Sequence, residues 1–199
     1  MTAKELYDSI ISQKISTETC ICRLHHPCSA TSICGQNSQI TVIDFDGVKD
    51  TIDKQKKRES YSSVDALTYK QNNLLFVEIK GWKEFISHNT KISNTKIQKQ
   101  VDRFDLKKKL LDSISICCDL TNDPDFLIDK PSIYVIVTDI DPTRNGLGTL
   151  AMNLNVLANT TSQWELVCIQ LMNECIAGIS EMKTHYLYCE DFDNYYQGL

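Results

Sequence analysis

The densest concentration of chemistry in the sequence is Asp65 together with Glu78-Ile79-Lys80. Two apolar runs, residues 63–69 and 74–80, flank Lys70-Gln71-Asn72-Asn73, a hairpin pattern in which asparagine tolerates the left-handed backbone of a tight turn. Side chains alternate faces along a strand, so Glu78 and Lys80 share one face. A tight loop at Gln71-Asn72 puts Asp65 opposite Glu78, whereas one centred at Asn72-Asn73 puts it opposite Lys80. Both registers gather two carboxylates and an ammonium, and only an odd-length loop or a bulge sends Asp65 to the other face.

Charged groups on a face of apolar strands are costly unless they pair or work. The carboxylate oxygens of Asp65 and Glu78, with the backbone carbonyl of Ile79 nearby, are hard ligands of the kind Mg²⁺ or Mn²⁺ takes. Such an ion activates water toward a phosphodiester, while Lys80 orients that water and stabilises the charge developing on the phosphate. The same spacing also fits a cross-strand ion-pair lattice on a solvated sheet face.

At these positions the sequence resembles the PD-(D/E)XK nuclease superfamily. The matching string is Ser63-Val64-Asp65 followed by Glu78-Ile79-Lys80, set in a hairpin and followed by a helix, with Val64 standing where the name-giving pattern has Pro. The resemblance implies an α/β fold, a central mixed β-sheet flanked by helices in the restriction-endonuclease-like arrangement. It further implies Asp65 and Glu78 as metal ligands and Lys80 as the catalytic lysine. Glu59, or else Asp44 or Asp46, would be the acidic residue that often precedes the motif Asp. Gln100-Val101-Asp102-Arg103-Phe104 looks like the Gln-x-x-x-Tyr element of RecB-like nucleases with Phe in place of Tyr, which makes Gln100 a supporting residue near the substrate. The activity implied is metal-dependent cleavage of nucleic acid, DNA rather than RNA, in defence, restriction or repair.

Basic residues flank the motif. Lys54, Lys56, Lys57 and Arg58 precede the hairpin, and Lys91, Lys96, Lys99, Arg103 and Lys107-Lys108-Lys109 follow it. Lys57, Arg58, Lys96, Lys99 and Arg103 are the candidates for phosphate neutralisation, whereas Lys107 to Lys109 also read as the wet face of an amphipathic helix. Trp82 is a stacking platform or a core residue. A second cluster, Cys20, Cys22, His25, His26, Cys28 and Cys34, offers thiolates and imidazoles of the kind structural Zn²⁺ takes, with no Cys-x-x-Cys pair; Cys20, Cys22, Cys28 and Cys34 are the zinc candidates. The alternative is that these cysteines pack as small apolar groups.

The elements that must position these groups follow from periodicity. Helical spacing of Leu6, Ile10 and Ile11 predicts a helix from Thr2 to Ile15, and residues 39–46 read as a strand. The charged run 49–59 reads as a solvated helix or a mobile loop. Ile97, Val101, Phe104, Leu106, Leu110, Leu111 and Ile114 predict one long amphipathic helix over 93–115. Residues 131–139 form a near-continuous apolar strand of the type buried on both faces, residues 146–159 look helical, and 184–189 look like a last strand before an acidic, aromatic tail.

With 199 residues, 7 Gly and 4 Pro, the economical reading is one α/β domain over 1–199: an N-terminal helix and Cys/His-rich segment to 38, a motif-bearing core over 39–140 and a C-terminal helix and strand over 141–199. No apolar run approaches membrane-spanning length, and the first residues lack the layout of a signal peptide, so a cytoplasmic protein without membrane contact is expected. The 9 cysteines, an odd number, argue against a disulfide framework. A net charge of -5 means that nucleic acid must be met by local basic patches or with the help of a larger protein complex, and the resemblance to small nucleases implies a homodimer that cuts both strands. The competing expectation is a non-catalytic or partner-activated interaction subunit on the same fold, docking through its acidic surface and through Tyr195 and Tyr196.

Overall fold

The computed structural model describes residues 1–24, 38, 40–57, 59–89, 91–128, 130–143 and 161–199. Its centre is a six-stranded sheet in the order β1-β2-β3-β4-β5-β6, formed by Glu18–Cys20, Thr41–Asp44, Ala66–Lys70, Asn73–Lys80, Ser132–Thr138 and Lys183–Tyr188. The first four strands are antiparallel in succession, while β4, β5 and β6 run parallel, so the sheet is mixed. The helices are α1 (Ala3–Ser12), α2 (Ile21–Leu24), α3 (Phe45–Lys56), α4 (Lys83–His88), α5 (Asn94–Phe104), α6 (Leu106–Thr121), α7 (Thr161–Ala177) and α8 (Phe192–Gly198).

Alternation along the strands makes two apolar layers. Ile43, Leu67, Leu74, Phe76, Tyr134 and Ile136 face one layer, which is closed by α1, α3, α5, α6 and α7. Val42, Ala66, Leu75, Val77, Ile133 and Val135 face the other, where Ile21 of α2 and Phe192 of α8 complete the packing. Burying both faces explains the continuous apolar sequence of β4 and β5. The acidic, aromatic tail is therefore not free: Tyr195 and Tyr196 pack against this second layer, and Tyr196 Oη donates to the Tyr69 carbonyl at 2.7 Å.

The helix starts and stops have local causes. Thr2 and Glu5 form a reciprocal capping box at α1, which ends at Ser12, short of Ile15. The strand expected to reach residue 46 stops at Asp44, because the Asp44 carboxylate caps α3 by accepting the Gly47 amide at 3.2 Å. A Cβ at Gly47 would meet Ser16 Oγ at 2.8 Å, so a larger residue there would push aside the hydroxyl that donates to the Asp44 carbonyl at 2.6 Å. The charged run is thus helix, but it begins at Phe45 and closes with Lys57 in the left-handed region.

The single helix expected over 93–115 is two helices. Asp105 adopts φ 48°, ends α5 and starts α6 on a new axis, and α6 continues to Thr121. Asp is among the few residues whose short polar side chain tolerates that conformation. The expected helix over 146–159 lies outside the described residues, whereas α7 is a helix the sequence pattern did not announce. Among the described residues, no helix is long and apolar enough to cross a membrane.

Candidate active site

The hairpin turn is Gln71-Asn72, with Lys70 paired to Asn73 and Ala66 to Val77, so continuing the register sets Asp65 against Glu78. Gln71, rather than an asparagine, takes the left-handed backbone. Asp65 lies one residue ahead of β3 and is tied across the pair: its Oδ2 accepts the Ile79 amide at 2.6 Å, and its own carbonyl accepts the Phe45 amide at 3.1 Å. The segment before it is gripped by α6, where Asp112 accepts the Ser62 amide at 2.8 Å and Ser113 Oγ accepts the Val64 amide at 3.0 Å. Asp65 is therefore held from both sides before any ligand arrives.

Glu78 is fully buried on the helix-covered face, in line with Leu74 and Phe76. Its Oε1 contacts Lys80 Nζ and accepts from Lys109 Nζ at 2.7 Å. Lys80 Nζ also stands 3.8 Å from Asp65 Oδ2, and Lys109 Nζ 3.7 Å from Asp65 Oδ1. The other oxygen, Glu78 Oε2, is buried with no hydrogen-bond partner. Burial first, and then the Asp65 charge, push the Glu78 carboxyl above its ordinary range, against the pull of Lys80 and Lys109. Burial lowers the Lys109 ammonium, but the fields of Glu78 and Asp65, the hydrogen bond to Glu78 and the field of Asp46 raise it overall, so it is held charged.

Of the sequence candidates, Asp65, Glu78, Ile79 and Lys80 come together. Glu59 is exposed beyond the end of α3, outside this contact set. Asp46, in the first turn of α3, is the acidic residue nearer to it: Ser63 Oγ donates to Asp46 Oδ1, and its field reaches Lys109. Lys109 joins this contact set, although the sequence left it, with Lys107 and Lys108, either as a basic residue for phosphate or on the wet face of a helix. Once α6 starts at Leu106, however, Lys109 falls three residues after it and four before Ser113, on the buried stripe.

Gln100 does not reach the carboxylates. With Lys96, Lys99 and Arg103 it lines a cavity of about 240 Å³ whose other walls are Phe85 and Asn89. These α5 residues recur at helical spacing and so share one face. Lys96, Lys99 and Arg103 have no carboxylate partner among the described residues, whereas Lys107 pairs with Glu181 at 2.5 Å and Lys108 with Asp112 at 3.2 Å. Phe104, the last residue of α5, packs beside the carboxylate site, with Lys80 Nζ 5.1 Å from its ring centre and Trp82 against it at 5.3 Å. Trp82 is fully buried and belongs to the core rather than to a stacking platform. Lys57 is exposed at the end of α3, and Arg58 lies outside the described residues.

The Cys/His cluster is only partly described. Cys20 ends β1 and donates to the Ser38 carbonyl at 2.8 Å, and Cys22 in α2 packs on the second apolar layer. His25, His26, Cys28 and Cys34, and with them the zinc expectation, lie outside the described residues.

For a hard divalent ion the donors at hand are Asp65, the orphan Glu78 Oε2 and the neighbouring backbone, since no group of three or more His, Cys, Asp and Glu gathers among the described residues. Few protein ligands, with water completing the shell, is the Mg²⁺ habit, so the residues fit that ion. No family model matches the chain, and no curated protein or solved structure matches it.

Proposed function

We propose that this protein is a metal-dependent nuclease of the PD-(D/E)XK type, on a restriction-endonuclease-like variant of its mixed sheet, hydrolysing phosphodiester bonds of nucleic acid, DNA in preference to RNA. The observation that carries the reading is Glu78 Oε2, a carboxylate oxygen with no partner in a fully buried site. A lattice serving stability alone would leave this atom unexplained, because an unpartnered buried oxygen costs about 1–3 kcal/mol or more. Replacing a whole buried ion-pair set by apolar groups of similar volume is often neutral or stabilising, so a set made of Glu78, Lys80 and Lys109 needs a reason other than packing.

Asp65 and Glu78 would hold Mg²⁺ or Mn²⁺, which when bound supplies Lewis acidity and an activated water. Lys80, fixed beside both carboxylates and over the Phe104 ring, is positioned to neutralise charge developing on the scissile phosphate. The α5 cavity supplies the substrate seat: Lys96, Lys99 and Arg103 offer uncompensated positive charge to flanking phosphates, with Gln100 and Asn89 as polar wall. This local patch answers the difficulty posed by a net charge of -5.

The test is cleavage of plasmid, linear duplex, single-stranded DNA and RNA with Mg²⁺, Mn²⁺ or EDTA, comparing wild type with Glu78→Ala and Lys80→Ala shown by circular dichroism to be folded. Metal-dependent cleavage lost in both variants is the expected result. Equal cleavage by the variants, or none by any protein on any substrate, would reject the proposal.

A further inference from the structure

Lys109 is one of three consecutive lysines, yet its surroundings differ from those of its neighbours. Lys107 and Lys108 are more than half exposed and pair with carboxylates outside the site. Lys109 turns inward and repeats from a helix what Lys80 does from the strand, since each contacts Glu78 Oε1 and each stands just under 4 Å from one oxygen of Asp65. Two carboxylates and two ammoniums therefore balance in charge. A divalent ion brought to the same carboxylates meets two fixed positive charges at close range, and one must yield.

The geometry decides which. Lys80 sits two residues from Glu78 on a central strand, with a 13% exposed side chain and its Nζ over the Phe104 ring. Lys109 reaches the site on the long stem of a helix residue, is 23% exposed and makes no ring contact among the described residues. We propose that Lys109 is an exchangeable counter-cation. It neutralises Asp65 and Glu78 before the divalent ion binds and then releases Glu78 without changing its protonation state. The released ammonium takes an oxygen of the substrate phosphate. This deepens the nuclease reading and rests on it. Metal and phosphate then assist one another's binding by equal factors, because each favours the same released position of Lys109.

The experiment is Mn²⁺ binding to the full chain at mildly alkaline pH, followed by calorimetry and electron paramagnetic resonance, for wild type, Lys109→Met, Lys109→Gln, Lys109→Arg and Lys107→Met. Removing the competing charge is expected to tighten Mn²⁺ binding by about tenfold or more in Lys109→Met and Lys109→Gln. Lys109→Arg and Lys107→Met should stay within the wild-type range. A phosphorothioate DNA duplex should tighten Mn²⁺ binding to wild type more than to Lys109→Met. Lys109→Gln keeps a donor for Glu78 and serves if Lys109→Met fails to fold. Wild-type or weaker affinity in the folded charge-removing variant, with Mn²⁺ still bound by wild type, overturns the exchange and leaves the nuclease reading standing. Absence of Mn²⁺ binding by every protein overturns both.

Discussion

The α5 cavity can be tested without cleavage, through the salt dependence of nucleic-acid binding. Lys96, Lys99 and Arg103 line one cavity with no carboxylate to compensate them among the described residues, whereas Lys107 and Lys108 are already paired. Each phosphate neutralised on a duplex contributes about 0.9 to the slope of log K against log salt. If the three cations share one phosphate, Lys96→Ala/Lys99→Ala/Arg103→Ala lowers the slope by about 0.9, and if each takes its own phosphate, by about 2.7. Referred to a 1 M standard, those slopes correspond at 0.1 M salt to losses of roughly 8-fold and 500-fold in affinity. The assay is fluorescence anisotropy of a labelled duplex in EDTA across a NaCl titration, so that no substrate is cut. A Lys107→Ala/Lys108→Ala protein, which loses cations already compensated by Glu181 and Asp112, is expected to change the slope far less. A triple variant with the wild-type slope, or a larger loss in the α6 double variant, would refute the assignment of the cavity.

Two further outcomes follow from single contacts. Ser113→Ala leaves the buried Val64 amide without its acceptor, so unfolding free energy should fall by about 1–3 kcal/mol in a denaturant titration, and Mn²⁺ affinity should fall with it because Val64 precedes Asp65. A stable variant with full Mn²⁺ affinity would show that the grip of α6 on this segment is unnecessary. His185, half-buried against Tyr195 at 5.0 Å, has its pKa depressed below 6.5, first by burial and then by Lys183. The unfolded chain therefore takes up its proton first on acidification: the contribution is complete above pH 6.5 and is lost as pH falls toward the depressed value. Melting temperatures followed from neutral to mildly acidic pH should show a shallower acid limb in His185→Phe than in wild type, and identical limbs would exclude His185 as the source.

The parts of the site legible in the sequence are those set by short-range geometry. Period-two alternation put Glu78 and Lys80 on one face, and a tight, even hairpin brought Asp65 to them, so neither step needed knowledge of the rest of the chain. The apolar run of β5 likewise announced a strand covered on both sides. What could not be read depended on packing at a distance. Helix α7 carries buried Val167, Cys168, Ile169 and Met172 in near succession, too broad an apolar surface to leave a clear helical period. The end of β2 was hidden because Thr41-Val42-Ile43-Asp44-Phe45-Asp46 alternates like a strand, and the cap that stops it is visible only in the Asp44 to Gly47 hydrogen bond.

The break at Asp105 shows how one backbone position distributes the chemistry of a whole segment. Phe104-Asp105-Leu106 contains neither Gly nor Pro, and the apolar spacing runs on through it, so nothing local distinguishes it from helix interior. Left-handed at φ 48°, Asp105 ends one helix whose buried stripe is Ile97 and Val101 and begins another whose stripe is Leu106, Leu110 and Ser113. Each helix then sets its own cations independently. Before the break, Lys96, Lys99 and Arg103 open toward a cavity; after it, Lys109 enters the carboxylate pair while Lys107 and Lys108 stay at the surface. An unbroken helix would tie these two sets of directions together through a fixed 100° per residue. The left-handed residue uncouples them, so one short cationic segment can serve both the proposed phosphate seat and the buried carboxylates.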